Sequence, residues 1–88
     1  MKGSRDAALK QRLKELILAE ADKPLSPEAI TDDEILFGPD AQLQLDSLDG
    51  LQISVALHVN FGVRVTDPKD LARIMASVNT LADFLQPE

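Results

Sequence analysis

Cysteine, tryptophan and tyrosine are all absent from this chain of 88 residues, and phenylalanine occurs only three times. Without cysteine there is no disulfide framework, no thiolate metal site and no thiol nucleophile. Apolar residues nevertheless make up 44 % of the sequence. The core should therefore consist mainly of leucine, isoleucine, valine and alanine, which is typical of a compact helical bundle. A chain of this length is expected to fold as one domain over residues 1–88.

Long apolar segments are also missing. No apolar stretch approaches the roughly 20 residues needed to cross a bilayer. The first residues, MKGSRDAALKQRLKELIL, include early basic residues but lack the apolar run of about 7–15 residues that a signal peptide contains. We therefore expect a cytoplasmic protein without a membrane span.

Basic residues are lacking from the middle third of the chain. Residues 31–60 contain six acidic side chains and neither lysine nor arginine, so this third carries a charge equal to the net charge of −6 of the whole chain. Such a region repels phosphate backbones, which argues against a nucleic-acid partner. Two interpretations remain: a solvated acidic loop, or a surface that attracts a basic protein partner.

Helical spacing and helix-end signals predict an all-α bundle of four helices, one of them short. Apolar residues recur every three or four positions from Leu9 to Ile17, as expected for an amphipathic helix. The later helices are bounded by residues that cap helices or stop them, such as Asp67 and Gly62. The predicted helices cover about residues 6–21, 47–61, 67–74 and 77–85.

The first connection, over residues 22–46, is unusually long for a small domain, and such loops tend to be functional or partly structured. Residues 26–30 offer one helical turn within it, because a proline follows a serine that can cap a helix. The apolar pair Leu36–Phe37 is expected to anchor the loop over the core. At the other end of the chain, residues 1–5 are predicted to form a flexible tail.

The helix over residues 47–61 has two apolar faces when it is drawn at about 100° per residue. A helix at the edge of a small bundle needs only one. Either this helix is buried on both sides, or one face packs on the core and the other contacts a partner, which is the interpretation that we favour. One face consists of Leu48, Leu51, Val55 and Val59, and the other of Ile53, Leu57 and Phe61.

The stretch LQLDSLDGLQ at 43–52 places Ser47 where this helix begins. A catalytic serine needs a base within hydrogen-bonding reach, but the only histidine, His58, is eleven residues further along the same predicted helix, or about 16 Å away. The acidic stretch lacks the pattern of a calcium-binding EF-hand loop, and no metal site is expected. Ser47 is then an exposed attachment point at a helix N-terminus, or else Ser47 or Asp46 simply caps the helix.

The segment LFGPDAQLQLDSLDGLQISVALHVNFGVRV at 36–65 resembles the acyl carrier protein family. The matching features are Asp-Ser-Leu at 46–48, the following Asp49, Ala-Leu at 56–57 and Phe-Gly-Val at 61–63. The predicted helices between about residues 6 and 86 also fit the four-helix layout of that family, so the resemblance extends over nearly the whole chain.

The resemblance implies that Ser47 carries 4′-phosphopantetheine, which a phosphopantetheinyl transferase attaches from coenzyme A with Mg²⁺. Asp46 would help to place the Mg²⁺ and the phosphate. The protein itself would catalyse nothing: acyl-transfer enzymes, ketosynthases or other enzymes of fatty-acid, polyketide or specialised lipid biosynthesis would visit this freestanding monomer. The implied docking residues are Leu48, Asp49, Leu51, Gln52, Val55 and Val59. The resemblance also implies that Ile53, Leu57 and Phe61 face the core.

The sequence departs from the family where acidic residues are common, because Gln52, His58, Val59 and Asn60 stand there instead. This departure predicts a dedicated partner whose surface is more apolar or differently charged than that of standard fatty-acid enzymes. The alternative function is a non-enzymatic helical adaptor with a carrier-like fold and no prosthetic arm. Such an adaptor would tolerate Ser47→Ala, whereas a carrier would not.

Gly50 is a further departure, because a glycine inside a helix costs about 1 kcal/mol relative to alanine. It is interpreted either as room for the close approach of a partner or as neutral drift.

Overall fold

The chain forms four α-helices in the computed structural model, which describes residues 1–65 and 67–88. The all-α prediction of a four-helix bundle with a long first loop is confirmed. Within the described residues, no helix is long and apolar enough to cross a membrane. The helices are α1 (Ala7–Glu20), α2 (Ser47–Phe61), α3 (Pro68–Ile74) and α4 (Val78–Leu85), and two 3₁₀ turns cover Gly3–Arg5 and Pro27–Ala29.

Side chains at the helix ends explain why the helices begin and end where they do. The Asp6 carboxylate accepts a hydrogen bond from the backbone N–H of Leu9 at 3.1 Å, and α1 starts directly after it. The hydroxyl of Ser77 accepts one from the backbone N–H of Thr80 at 3.1 Å before α4. These bonds satisfy N–H groups that have no partner inside a helix. Gly62 ends α2 in the left-handed conformation at φ +72°.

The core lies where α1 contacts α2 and α4. It is aliphatic, as the lack of aromatic residues indicates, and burying each leucine or isoleucine side chain contributes about 1.5–3 kcal/mol. The first loop contributes to it as well. Fully buried residues include Leu13, Ile17, Ile30, Leu36, Leu43, Ile53, Leu57, Met75, Val78 and Leu81.

The first loop folds back on itself before α2 begins. Leu36 is buried in the core, which confirms its predicted anchoring role, and Phe37 packs against the core from the side. The backbone N–H of Leu45 donates to the carbonyl of Leu36 at 3.1 Å, and the N–H of Gly38 donates to the carbonyl of Leu45 at 3.2 Å. The segment that precedes Ser47 is therefore fixed against the core.

Asp32 ties this loop to two helices. Its carboxylate oxygens lie 2.7 Å from Nζ of Lys10 and 2.7 Å from Nζ of Lys14, both on α1. Its carbonyl accepts a hydrogen bond from the backbone N–H of Asn79 on α4 at 2.9 Å. The hydrogen bonds from Lys10 and Lys14 hold the pKa of Asp32 below its ordinary value of 3.8.

Asp32→Asn is therefore expected to lower the free energy of unfolding at neutral pH. When the pH is lowered, the variant should lose less of that free energy than the wild type does. Because the folded pKa lies below the unfolded pKa, this contribution is present above the unfolded value and is lost as pH falls through the folded one. The side chain is 38 % exposed, so solvent screening limits the effect to about 1 kcal/mol or less. Urea denaturation at pH 7 and at about pH 3 measures it.

The exposed neighbour Asp33, changed to Asn, is the matched control for this experiment. The free energy of unfolding of Asp32→Asn should be lower than that of Asp33→Asn at pH 7, and the two values should approach each other in acid. A parallel pH dependence of the two variants would contradict the role given to Asp32.

The structure differs from the flexible tail predicted for residues 1–5. Gly3–Arg5 form a 3₁₀ turn that packs on α4, and Gly3 is buried. The backbone N–H of Gly3 donates to the carbonyl of Gln86 at 2.7 Å, and that of Ser4 donates to Oδ1 of Asp83 at 2.9 Å. The close approach is open only to glycine, because a Cβ atom at position 3 would lie 1.9 Å from the carbonyl oxygen of Ala82.

Gly3→Ala is expected to lower the free energy of unfolding by about 1–3 kcal/mol, because the turn must move away from α4 and leave buried polar backbone groups unpaired. Chemical denaturation measures the difference. Ser4→Ala is the control, because it keeps the backbone N–H that bonds Asp83 and loses only the bond from the hydroxyl to that carboxylate, so it should lower the free energy of unfolding less than Gly3→Ala does. Equal stability of Gly3→Ala and the wild type would show that the turn contributes nothing.

Candidate functional site

Asp46, and not Ser47, caps α2. Oδ1 of Asp46 accepts a hydrogen bond from the backbone N–H of Asp49 at 2.9 Å, and Oδ2 of Asp49 accepts one from the backbone N–H of Asp46 at 3.1 Å. This reciprocal arrangement is a capping box. The bonds from the backbone N–H groups of Asp49 and then Leu48 hold the pKa of Asp46 below its ordinary value. Asp46 is therefore ionised at neutral pH.

Ser47 is the first residue of α2, and it is exposed. Of the two residues expected as possible caps, Asp46 takes that position through its carboxylate and Ser47 does not. In the part of the chain that the structure describes, no hydrogen bond involves the hydroxyl of Ser47. The hydroxyl is thus accessible to another molecule and has no evident structural task.

The two apolar faces of α2 have opposite environments. Ile53 and Leu57 are at most 1 % exposed and belong to the core. The other face is between 57 % and 75 % exposed, so burial of the helix on both sides is excluded. We call this face the exposed stripe, and it consists of Leu48, Leu51, Val55 and Val59.

The remaining predicted docking residues lie beside the exposed stripe. Gln52 is exposed and Asp49 is half-buried, where it completes the capping box. Phe61, predicted for the core face, is only half-buried at the end of α2. The guanidinium carbon of Arg12 lies 4.9 Å from the centre of its ring, which is a cation–π distance.

Two mostly apolar cavities adjoin Ser47, and the residues Ser47 and Leu71 line both. One has a volume of about 300 Å³, and its walls come from the first loop, α2 and α3. The other, of about 240 Å³, extends along α2 towards Val65. Sequence patterns did not reveal these cavities, because their walls come from segments that are distant along the chain.

Gly50 is explained by the wall of the larger cavity. The residue is buried, and a Cβ atom there would lie 3.2 Å from Cδ2 of Leu71 and 3.2 Å from Cε1 of Phe37. Its missing side chain makes room for these two residues inside the protein and not for a partner outside it, which corrects the interpretation from the sequence.

Other chemistry around Ser47 is limited by the helix itself. His58 is exposed on α2, eleven residues after Ser47, which corresponds to about 16 Å of helix rise. The two side chains therefore do not form a nucleophile and base pair. Over residues 1–65 and 67–88, no three histidine or acidic side chains come together as a metal site would require.

Comparison with family models, with curated proteins and with solved structures finds no match to this chain. A functional proposal therefore depends on Ser47 and its surroundings, together with the resemblance of residues 36–65 to acyl carrier proteins.

Proposed function

We propose that this chain is an acyl carrier protein that holds acyl intermediates as thioesters on a 4′-phosphopantetheine arm attached to Ser47. The observation that carries the proposal is that capping of α2 and exposure of a hydroxyl group fall to two different residues at the start of this helix. Asp46 caps the helix, and the exposed hydroxyl of Ser47 stands next to the exposed stripe. The resemblance supplies the identity of the arm, and the geometry is compatible with it.

The start of α2 suits a phosphodiester. Helix N-termini favour anions, because their N–H groups and the positive end of the helix dipole point outward. However, Asp46 already places a carboxylate there, so an incoming phosphate meets a negative charge. A divalent cation between the two oxygen groups would remove this repulsion, which gives Asp46 a physical reason to hold Mg²⁺ in the transferase complex.

The chain's own part in the loading reaction is that of the acceptor. Oγ of Ser47 forms the new phosphodiester bond while the phosphoanhydride of coenzyme A breaks and 3′,5′-ADP leaves. The proton of Ser47 passes to a base of the transferase, since the only histidine of this chain is far along the helix. The attached arm supplies the thiol that a chain without cysteine lacks.

The cavities beside Ser47 could bury part of the acyl chain. An apolar cavity of roughly 150 Å³ is large enough for benzene, so a cavity of about 300 Å³ has room for a short acyl chain. Each buried CH₂ group would contribute about 0.8 kcal/mol. The proposed carrier is a cytoplasmic monomer that separate fatty-acid, polyketide or specialised lipid enzymes visit.

A second candidate function is supported by the exposed stripe alone. Four apolar side chains on one exposed helix face are also compatible with an adaptor that binds a protein partner without any arm. The two candidates differ in whether Ser47 is modified.

Loading of the arm tests the proposal directly. The folded chain is incubated with coenzyme A, Mg²⁺ and a broad-specificity phosphopantetheinyl transferase, and its intact mass is measured. A gain of one phosphopantetheine is the expected result. No gain with several transferases, on a sample shown to be unmodified beforehand, would overturn the carrier function and favour the adaptor.

A further inference from the structure

A groove of about 400 Å³ lies beside the second half of the exposed stripe. It runs between α2 and residues 64–65, and its lining is mainly apolar. Arg64 stands at its edge, exposed, and none of the ion pairs among the described residues involves it. The groove is lined by Leu51, Ser54, Val55, His58, Arg64 and Val65.

The charges along this face change sign from one end to the other. Asp46 and Asp49 stand at the start of α2, whereas Arg64 stands at the groove, which His58 also lines. His58 is nine positions after Asp49 on α2, which corresponds to about 14 Å of helix rise. A partner that is complementary to the whole face therefore needs charges of both signs.

We propose that the acyl-transferring partner of this chain inserts a bulky apolar side chain into the groove and places a carboxylate against Arg64, while a basic group of the partner faces Asp46 and Asp49. The inference rests on the proposed carrier function, which explains why an enzyme would approach Ser47. It goes beyond that function by stating which charges the enzyme must carry and where.

A uniformly basic partner fits this face poorly. Its basic groups would suit the acidic end, but the same surface would bring a like charge against Arg64, and such juxtapositions oppose binding. A second copy of this chain, packed antiparallel, would satisfy the charges. However, the stripe and groove offer far fewer residues than the roughly 20–30 per side of a standard stable interface. The small face favours a transient enzyme partner.

The test uses a ketosynthase of fatty-acid synthesis whose docking surface is uniformly basic. Each lysine or arginine of that surface is changed in turn to glutamate, and the affinity for the unmodified chain is measured by fluorescence anisotropy at low salt. We expect one reversal, at the far end of the surface from the active-site entrance, to strengthen binding about tenfold. With Arg64→Glu the same reversal should instead weaken binding, since the favourable pair becomes a repulsive one.

Arg5→Glu is the matched control, because it makes the same change of charge on the N-terminal turn, which packs on α1 and α4. With Arg5→Glu, each lysine or arginine to glutamate change on the ketosynthase should alter the affinity as it does with the wild type. The proposal is overturned if every reversal weakens binding to the wild type, or if Arg5→Glu and Arg64→Glu behave alike. It is also overturned if sedimentation shows a dimer that Arg64→Glu dissociates, because the face would then belong to a second copy.

The binding assay needs no arm, so its outcome is separate from that of the loading assay. A chain that loads but binds best to the fully basic surface would keep the carrier function and lose this inference. A chain that never loads loses the carrier function, whichever surface it binds.

Discussion

We expect Ser47→Ala to take up no phosphopantetheine from coenzyme A, whereas the wild type should gain one group. This is the largest of the expected effects. The hydroxyl is the only group at the start of α2 that can form the ester. The substitution should leave the helix intact, because Asp46 provides the cap and alanine is the best helix former. Intact mass measures loading, and thermal unfolding followed by circular dichroism verifies the fold.

Ser26→Ala is the matched control for this loss. Ser26 is also exposed and stands at the start of a helical turn, and its side chain makes no capping bond. It should load at the rate of the wild type. A second variant, Asp46→Asn, retains a good capping residue but loses the negative charge, so loading should slow while the fold persists. Loading of Ser47→Ala itself would place the arm elsewhere and remove the basis of the proposed function.

The second large effect is a difference in stability between leucine to alanine substitutions on the buried face and on the exposed face of α2. Leu57→Ala should lower the free energy of unfolding by about 2–5 kcal/mol, because it empties a fully buried site. That is a large part of the roughly 5–15 kcal/mol that stabilises a typical domain. Leu51→Ala, on the exposed stripe of the same helix, should cost less than about 0.5 kcal/mol. Urea denaturation measures both values.

Function should respond in the opposite order. Leu51→Ala removes an apolar contact of the exposed stripe and is expected to slow acyl transfer to a partner enzyme about tenfold, which corresponds to about 1.4 kcal/mol of interface energy. The comparison is made at a temperature where Leu57→Ala is still folded. If Leu51→Ala destabilised the fold as strongly as Leu57→Ala, the exposed stripe would be part of the core and could not be a docking surface.

The helices could be predicted from the sequence because their ends are marked locally. The capping residues Asp67 and Ser77 and the stop at Gly62 lie next to the helices that they bound, and the observed bounds agree with the predicted ones within a residue or two. The helical spacing alone gave two apolar faces on α2 without deciding which one is buried. The resemblance assigned Ile53, Leu57 and Phe61 to the core side, and in the structure Ile53 and Leu57 are buried whereas Phe61 is only half-buried.

Other features escaped prediction because they depend on contacts between distant residues. Gly3 approaches Ala82 across most of the chain, and a lone glycine near the N-terminus indicates no such contact. Gly50 makes sense only when Phe37 and Leu71 are known to be its neighbours. The groove at Arg64 likewise joins a helix face to a segment with no regular structure. Local patterns carry no information on which of these pairs meet.

The contact between the N-terminal turn and α4 also has a consequence for the connectivity of the fold. Nε2 of Gln86 donates a hydrogen bond to the carbonyl of Met1 at 2.8 Å, so the two ends of the chain lie side by side. A short linker would be enough to join them, and the ring could be reopened at an exposed position of the first loop such as Pro39–Asp40. We therefore expect a circularly permuted chain, in which the helices follow one another in a different order, to keep the packing of the four helices and the position of Ser47.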